Sequence, residues 1–499
     1  MFNLPEIHGK YPVGATTFAI PVPASDDASR VIGDAKLKPS SDGIPGSSAL
    51  KLEEVAFTAY YPADVHSAKH AHKGVHWVPR PVSETLKGYA HFGSMNTWLI
   101  NGLMAPYAHV LKIPLYVNVP LLDPQSREQD SEEQWPLVIF SHGLGGTRTT
   151  YSHFCARLAA EGRIVLAIEH RDGTGPFVYT RTHVPGLKEE LPANCKLYLH
   201  PEDVTFDRPQ TEKDQFAFRE DQLVFRRLEL YLTYTYISRL VNSSWDEDHP
   251  SLDWIHTMSG PWNHDLENRP EDREFWRSWH ITGPKPKVQC DHDILLVGHS
   301  FGGATVLSTL STPPPTLADH QFTPLPVQRA VALDPWLEPL PGPGPEPYNV
   351  AASLTEHTTY ATHSPPALLV LNSEQFTVWH DHFARLRAVV GAWDRAAHEQ
   401  APAQRKHEQF ARLLTLVRAQ HITFSDFGVI VPFGAYARDG ARFLDLTCTL
   451  ADAFLAGSDF DEVLAAQKKV EFEIEVLPAK KGGKEHKRLV GEVGNIIVH

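Results

Sequence analysis

The sequence feature that most constrains this fold is Gly298-His-Ser-Phe-Gly302, which lies between two apolar runs. The run before it, Ile294-Leu-Leu-Val297, is typical of a buried strand, and the run after it, Ala304-Thr-Val-Leu-Ser-Thr-Leu310, favours a helix. This order predicts a strand, a sharp turn and a helix, with Ser300 at the apex of the turn. The two flanking glycines, Gly298 and Gly302, lack the Cβ atoms that would collide with a neighbouring strand or helix, so the serine backbone can be strained there.

Ser300 has two interpretations in this setting. In the first, the turn is a nucleophile elbow, which exposes the serine Oγ above the sheet and points the positive end of the following helix at the reacting centre. In the second, a glycine-rich turn joins strand and helix, and the serine only caps the helix. Replacing Ser300 with alanine separates the two, because only the first interpretation predicts that esterase activity is lost.

A central sheet is indicated by Pro136-Leu-Val-Ile-Phe140, an apolar run typical of parallel strands that are buried on both faces. A helical segment at 151–162 and a strand at 164–168 follow it, which together predict one βαβ unit. Strands are also predicted at 329–333, 367–371 and 414–417, helices at 214–241 and 381–411, and two antiparallel strands at 11–22 and 54–61. In the helix at 214–241, Val224 is among the apolar residues expected to face inward.

These segments predict an α/β fold with a central, mostly parallel sheet and helices on both faces. Length alone would allow two or three domains in 499 residues, but α/β folds often run long as one domain with insertions. We therefore predict a single domain over residues 1–460, with insertions near 176–213 and 243–290. Residues 461–499 are predicted to form a C-terminal extension, and the second insertion is expected to border the substrate cleft.

A serine nucleophile needs a base, and the base needs a carboxylate that fixes its tautomer and stabilises its cation. Asp334 directly follows the strand predicted at 329–333 and comes after Ser300, as the order serine, acid, histidine requires. The alternative for Asp334 is an aspartate that opens the turn before Pro335. Asp172 also ends a strand, but it precedes the serine and is predicted to order its own loop.

The base must be chosen from 28 histidines, and composition cannot make that choice. His421 lies on a loop just beyond the late strand at 414–417, where position favours it. His380 and His382 come too early, in a helical context. His299 is expected to point away, because its neighbour Ser300 occupies the apex of the turn.

Backbone N–H groups are the expected donors to the oxyanion. The first is the N–H of Phe301, immediately after the nucleophile. The second is predicted in His142-Gly-Leu-Gly-Gly146, the loop after the first parallel strand, where the glycines let the backbone turn inward. Leu144 is the residue we expect to supply it.

Composition excludes several classes of function. A net charge of −14 leaves no sequence-wide excess of cations for a nucleic-acid partner. The four cysteines are widely spaced, and the start of the chain lacks a basic segment followed by an apolar run, so we predict a cytoplasmic protein with free thiols. No phosphate loop, dinucleotide fingerprint or paired metal motif is present, and no cofactor is expected. A metal at His66, His70, His72 and His76 is disfavoured, because no cysteine or carboxylate cluster completes the set.

Two further segments have open interpretations. Residues 92–112 carry an unusually apolar set at helical spacing, including Trp98, Leu99 and Leu103. They are predicted to be either core or a lid or interfacial face that makes transient contact with a membrane surface. The basic stretch at 478–488 is predicted to be a solvated tail, with attraction to anionic lipid as the alternative.

Six ordered motifs resemble one family of esterases. They are Phe140-Ser-His-Gly-Leu-Gly145 with Tyr151-Ser152, Glu169-His-Arg-Asp172, Gly298-His-Ser-Phe-Gly-Gly303, Ala332-Leu-Asp-Pro-Trp336, Leu371-Asn-Ser-Glu374 and His421-Ile-Thr-Phe-Ser-Asp-Phe427. Together they resemble the platelet-activating-factor acetylhydrolases of the plasma and intracellular type II kind, over about residues 11 to 427.

The resemblance implies an α/β-hydrolase fold and a calcium-independent serine esterase that removes the short or oxidised sn-2 acyl group of a glycerophospholipid. Residue by residue, it implies Ser300 as nucleophile, Asp334 as acid, His421 as base, and Leu144 and Phe301 as oxyanion donors. Two other functions stay open: a general carboxylesterase or lipase of the same fold, and a non-catalytic binding protein that keeps the fold.

Overall fold

A computed structural model describes most of the chain. The described residues are 3–23, 28–39, 46–68, 71–126, 134–180, 194–207, 215–246, 252–258, 266, 269–270, 272–348, 365–401, 409–430, 434–457, 459–477 and 486–499. They fall into two compact units. The first unit is Met1–Cys290 with Pro315–Thr323, and the second is Asp291–Pro314 with Pro324–His499.

The strands and helices of the described residues follow in chain order. The strands are β1 Val13–Pro21, β2 Lys36–Leu37, β3 Glu54–Pro62, β4 Lys73–His76, β5 Lys112–Val117, β6 Trp135–Ser141, β7 Ile164–Glu169, β8 Phe177–Thr180, β9 Asn194–Leu197, β10 Val204–Thr205, β11 His256–Thr257, β12 Val288–Gln289, β13 Ile294–His299, β14 Thr316–Leu317, β15 His320–Gln321, β16 Val327–Leu333, β17 Ala367–Ser373, β18 Ala411–Leu416, β19 Ile474–Leu477, β20 His486–Leu489 and β21 Ile496–Val498. The α-helices are α1 Val82–Phe92, α2 Thr97–Val110, α3 Ser152–Ala160, α4 Ala217–Asn242, α5 Arg273–Trp279, α6 Phe301–Ser311, α7 Glu374–Thr377, α8 His380–Gln400, α9 Phe427–Ile430, α10 Gly434–Ala456 and α11 Phe460–Ala465.

In the first unit, the strand order is β6-β7-β3-β1-β5-β4, with β11 beside β1 and β12 beside β6. Strands β6 and β7 are parallel and are joined through α3, which confirms the predicted βαβ unit. Strands β1 and β3 pair antiparallel over nine residues each, which confirms the predicted pair at 11–22 and 54–61. The apolar runs of β6 and β7 are buried along almost their whole length, as a two-sided core strand requires.

In the second unit, the strand order is β21-β18-β17-β16-β13. Strands β13, β16, β17 and β18 run parallel, and only β21 is antiparallel to its neighbour. The carboxyl ends of the four parallel strands therefore lie at one edge of this sheet. That edge is where ligands bind in open α/β sheets.

The second predicted insertion, 243–290, packs against the sheet of the first unit through α5. Within 243–290, Trp276 and Trp279 of α5 are each 1% exposed, and both rings pack against Phe18 of β1. This insertion therefore supplies part of the hydrophobic core of the first unit. Its expected position beside a substrate cleft stays a prediction, as does the division of the chain into 1–460 and 461–499.

Three details of the predicted elements are wrong. The helix predicted at 381–411 ends at Gln400, because Pro402 disfavours helical backbone at the preceding residue, and β18 already begins at Ala411. Val224 of α4 is 42% exposed rather than buried. The basic stretch at 478–488 is not all tail: residues 486–488 belong to β20, which pairs with β19, while 478–485 lie outside the described residues.

Most of the apolar segment at 92–112 is not core, although Leu111 at its end is buried. It forms the end of α1 and all of α2, in which Ala108 is the only buried residue. Trp98 is 81% exposed, Leu103 68% and Leu99 50%, so the core interpretation is wrong. Within the parts of the chain that the structure describes, no helix has both the length and the apolar character to cross a membrane.

Candidate active site

Ser300 lies at a sharp turn between β13 and α6, as the sequence predicts. Its φ of 57° and ψ of −118° are rare for a residue with a side chain, and they mark a strained backbone. Gly298 permits the turn, because a Cβ at this position would lie 2.2 Å from the carbonyl oxygen of Gly302. The strand, turn and helix arrangement of an elbow is therefore confirmed, and the catalytic role of the serine remains a proposal.

The backbone of Ser300 is tied to the segment that carries Asp334. The Ser300 N–H donates to the Leu333 carbonyl at 2.9 Å, and the Trp336 N–H donates to the Ser300 carbonyl at 3.1 Å. These two bonds hold the ends of β13 and β16 side by side. The residue that directly follows each strand, Ser300 or Asp334, therefore lies at the same edge of the sheet.

Asp334 is fully buried and has three hydrogen-bond donors on its carboxylate. The Ser373 N–H donates to Oδ1 at 2.5 Å, and the Ser373 hydroxyl donates to Oδ2 at 2.5 Å. The ring nitrogen Nδ1 of His421 lies 3.0 Å from the same Oδ2. A buried carboxylate is costly without donors, and this set supplies three of them, one of which is the imidazole of His421.

His421 opens a short 3-10 turn after β18, and two other rings pack against its imidazole. Phe376 stacks on one face with a centroid distance of 4.3 Å and an interplanar angle of 3°. The centroid of the His299 ring lies 4.4 Å from that of the His421 ring. The backbone N–H of His421 donates to Oε1 of Gln375 at 3.0 Å. The side chain is 27% exposed, so the imidazole is fixed in orientation while solvent still reaches it.

His299 has a role that the sequence analysis missed. Instead of pointing away from the other candidates, its Nε2 lies 3.0 Å from the carbonyl oxygen of His421, to which it donates. Burial, together with the nearby His421, holds the pKa of His299 well below its usual value, so this ring is neutral. A histidine next to the elbow serine could have been noticed in the sequence, but its partner 122 residues away could not.

The other candidate bases do not contact Asp334 through a hydrogen bond. His380 is highly exposed at the start of α8 and pairs with its neighbour Asp381. His382 is buried, and its Nε2 lies 3.1 Å from the Pro335 carbonyl oxygen. Burial lowers the pKa of His382 to about 4. Of the sequence-predicted residues in the second unit, the structure therefore brings Asp334 and His421 together beside the turn that carries Ser300.

Asp334 and His421, together with His299, could also be metal ligands. Among the described residues, the one group with three such side chains close together is His299, Asp334 and His421, with ligand atoms within 4.8 Å of one another. His299 Nε2 already donates to the His421 carbonyl oxygen, and His421 Nδ1 already lies in hydrogen-bond contact with the Asp334 carboxylate. This pattern suits the transfer and stabilisation of a proton better than the binding of a cation.

Leu144 lies in the first unit, in the loop that follows β6. The amides of its neighbours are engaged: Gly143 N–H donates to the Tyr151 hydroxyl, Gly145 N–H to the Thr174 carbonyl and Gly146 N–H to the Gly143 carbonyl. Across the described residues, the Leu144 N–H has no such acceptor. Phe301 is the first residue of α6 and directly follows Ser300. The role of Leu144 and Phe301 as oxyanion donors stays a prediction.

A buried polar network holds the loop that carries Leu144. Arg226 of α4 donates to the His142 carbonyl at 2.6 Å and to the Asp172 carboxylate at 2.8 Å. Burial opposes the charge on Asp172, but the Arg226 guanidinium and the Thr174 hydroxyl hold its pKa below the usual value. The prediction that Asp172 is a structural residue that orders its loop is confirmed.

The strand order, the elbow and the acid and histidine that follow later strands define the class of the protein. It has the α/β-hydrolase fold, a mostly parallel sheet with helices. Within this class, the sequence profile of one family, platelet-activating factor acetylhydrolase, isoform II, matches residues 2–256 and 277–434. The chain belongs to this family.

Individual relatives are similar at a lower level. The platelet-activating factor acetylhydrolase of Bos taurus is 29% identical over 317 residues, which are 64% of this chain and 54% of that protein. That of Canis lupus familiaris is 28% identical over 283 residues, which are 56% of this chain and 50% of that protein. The chain therefore spans about half the length of these curated relatives. A solved ferulic acid esterase from Streptomyces cinnamoneus covers 91% of this chain and 92% of its own, at 15% identity and a TM-score of 0.43.

Proposed function

We propose that this protein is a serine esterase that hydrolyses the short or oxidised sn-2 acyl ester of glycerophospholipids. The observation that carries the proposal is the 3.0 Å contact between His421 Nδ1 and the buried carboxylate of Asp334, beside a strained serine turn. This arrangement suits general base catalysis, because the carboxylate fixes the imidazole with its proton on Nδ1 and leaves Nε2 to accept a proton.

In the proposed mechanism, His421 takes the hydroxyl proton of Ser300 as the serine Oγ attacks the ester carbonyl. The amides of Leu144 and Phe301 stabilise the oxyanion, and His421 returns the proton to the leaving alcohol. A water molecule then attacks the acyl-enzyme with the same histidine as base, which releases the acid and restores the serine. No step needs a cation, so a chelator is expected to leave the rate unchanged.

The substrate class rests on the family and on one surface. The family is named for an acetylhydrolase of platelet-activating factor, which is the name that the bovine and dog relatives also carry. The exposed apolar side chains of α1, α2 and the turn between them would let the protein contact a lipid surface, where such a substrate resides. They are Phe92, Met95, Trp98, Leu99, Leu103, Met104 and Val110. We propose that this surface makes transient membrane contact.

The test compares Ser300→Ala with Ser308→Ala. Both serines are 8% exposed and Ser308 lies two turns further along the same segment, so it is a matched control. A fluorophosphonate probe is expected to label the wild type and S308A but not S300A. Unchanged labelling of S300A, or no labelling of the wild type, would contradict the proposal and favour a non-catalytic binding protein.

The substrate is tested with glycerophospholipids graded by sn-2 chain length, alongside soluble aryl esters. We expect turnover to be greatest for acetyl and other short or oxidised sn-2 groups and to fall as the chain lengthens. Turnover of aryl esters alone would reject the phospholipid substrate while keeping the esterase. The protein would then be a general carboxylesterase of the same fold.

A further inference from the structure

A cleft in the first unit has no part in the proposed reaction. Its floor is formed by the central strands, and its internal volume is about 80 Å³. One water molecule occupies about 30 Å³ in the liquid, so the cleft has room for a group the size of a small oxyanion. The polar side chains that line it and enter the argument are Thr17, Thr58, Arg80, Arg148, Glu169 and Arg171.

Two ion pairs at the base of this cleft leave donors unused. Arg148 pairs with Glu169 through Nη1, and Arg171 pairs with Glu54 through Nη2. Arg171 is 4% exposed and Glu169 1%. Nevertheless, the Nε atoms of both arginines and Oε1 of Glu169 are buried without a hydrogen-bond partner. Buried polar atoms of charged groups are costly to leave unpaired, and the three residues that carry these atoms line the cleft.

Arg80 adds a positive charge that no carboxylate balances among the described residues. Its guanidinium contacts Nδ1 of His76 at 2.8 Å and both Nδ1 and the carbonyl oxygen of His109, at 3.0 and 2.9 Å. Burial, and then the charges of Arg80 and Lys112, lower the pKa of His76 to about 4, so this ring is neutral and accepts from Arg80.

The charge balance of the cleft favours an anion. Among the residues that line the cleft, the three arginines Arg80, Arg148 and Arg171 outnumber the one carboxylate, Glu169. Glu54, which does not line it, pairs with Arg171. Guanidinium groups present planar pairs of N–H donors that match phosphate oxygens. The hydroxyls of Thr17 and Thr58 lie 2.8 Å apart on adjacent strands, so one donates to the other and the second keeps its O–H as a further donor.

We propose that this cleft is a binding site for a phosphate group. The phosphate oxygens accept from the arginine N–H groups, and a protonated phosphate oxygen or an adjacent hydroxyl donates to Oε1 of Glu169. The chemistry is the same for free inorganic phosphate and for the phosphate of a lipid head group. The site is independent of the reaction proposed at Ser300, and S300A is expected to bind as the wild type does.

The test is calorimetric titration of the full chain with inorganic phosphate, and separately with glycerophosphocholine, at low and constant ionic strength. Arg80→Gln is expected to weaken phosphate binding about tenfold or more, because it removes charge-assisted hydrogen bonds. Arg239→Gln is the matched control, since it removes the same charge from an exposed position of α4. This variant is expected to bind phosphate like the wild type. Arg148→Lys provides a second variant that keeps the ion pair with Glu169 but removes the Nε–H donor, and it is also expected to bind more weakly.

The outcomes separate cleanly. Saturable binding of inorganic phosphate that is lost in R80Q and R148K but kept in R239Q supports the site. Binding of glycerophosphocholine as well would identify a lipid head group as the source, and binding of phosphate alone would identify free phosphate. Absence of saturable binding in the wild type, an equal effect of potassium chloride, or equal loss in R239Q would overturn the proposal.

Discussion

Replacing Asp334 with asparagine is expected to reverse the tautomer of His421. The Ser373 N–H can only donate, so the carbonyl oxygen of the new amide must stay at the Oδ1 position, where that donor lies at 2.5 Å. The amide nitrogen then occupies the Oδ2 position, 3.0 Å from Nδ1 of His421. An N–H donor at this place requires Nδ1 to accept, which moves the ring proton to Nε2.

A histidine that carries its proton on Nε2 cannot take the proton of the serine. In serine hydrolases with a serine, histidine and aspartate triad, the same substitution costs roughly 10,000-fold in rate, or about 5 kcal/mol of transition-state stabilisation. We expect a loss of this order in kcat for acetyl esters in D334N. Ser373→Ala removes one donor from the carboxylate, and because a hydrogen bond to a charged group is worth about 1.5–3 kcal/mol, a loss of roughly tenfold to a hundredfold is the most we expect.

The assay is hydrolysis of a soluble short-chain ester by purified variants, with unfolding curves to confirm that each is folded. Asp394→Asn is the matched control in the same unit, because its Oδ1 alone accepts from the Phe410 and Ala411 amides and an asparagine oxygen can replace it. D394N is expected to keep the wild-type rate. Activity of D334N within tenfold of the wild type would refute the tautomer argument.

Three other predictions concern His299, stability at low pH and the exposed helix. His299→Phe removes the donor to the His421 carbonyl and should lower kcat/KM about fivefold to tenfold, whereas H299Q keeps a donor and should lose less; equal losses would contradict a positioning role. Burial lowers the pKa of His142 and His382 to about 4, so the unfolded chain binds more protons and stability is expected to fall as pH decreases from about 6.5 to 4, measured by urea unfolding; a flat profile would be the contrary result. Trp98→Ser should weaken liposome binding roughly tenfold or more without changing hydrolysis of a soluble ester. The control Trp379→Ser, at a site 42% exposed, should leave liposome binding unchanged, and sedimentation with liposomes measures both variants.

Local features of the sequence were enough to predict the elbow and the parallel strands. The strand, turn and helix at Ser300 depend on residues that are neighbours in the chain. Apolar runs such as the one that fills most of Ile164–Glu169 are typical of strands buried in a core. The order of serine, acid and histidine along the chain then favoured Asp334 as the acid and His421 as the base. The structure brings these two side chains within hydrogen-bond distance.

Tertiary contacts account for what the sequence did not predict. The support of Asp334 by Ser373 and of His421 by Phe376 and His299 depends on side chains that meet only after the strands align. Periodicity also identifies an apolar helical face without showing what covers it, which is why the segment containing Trp98 was compatible with core. The unused donors of the arginine cleft likewise depend on strands brought together by folding.

The left-handed backbone of Ser300 has a consequence for the evolution and engineering of this protein. A non-glycine residue in such a conformation carries a standing cost of about 1–3 kcal/mol, which the rest of the second unit must offset. A glycine at this position would relax the turn, so an inactive Ser300→Gly variant should tolerate heat better than the active protein. Selection for thermostability alone would therefore favour loss of the hydroxyl, and any stabilised variant must be screened for activity at the same time.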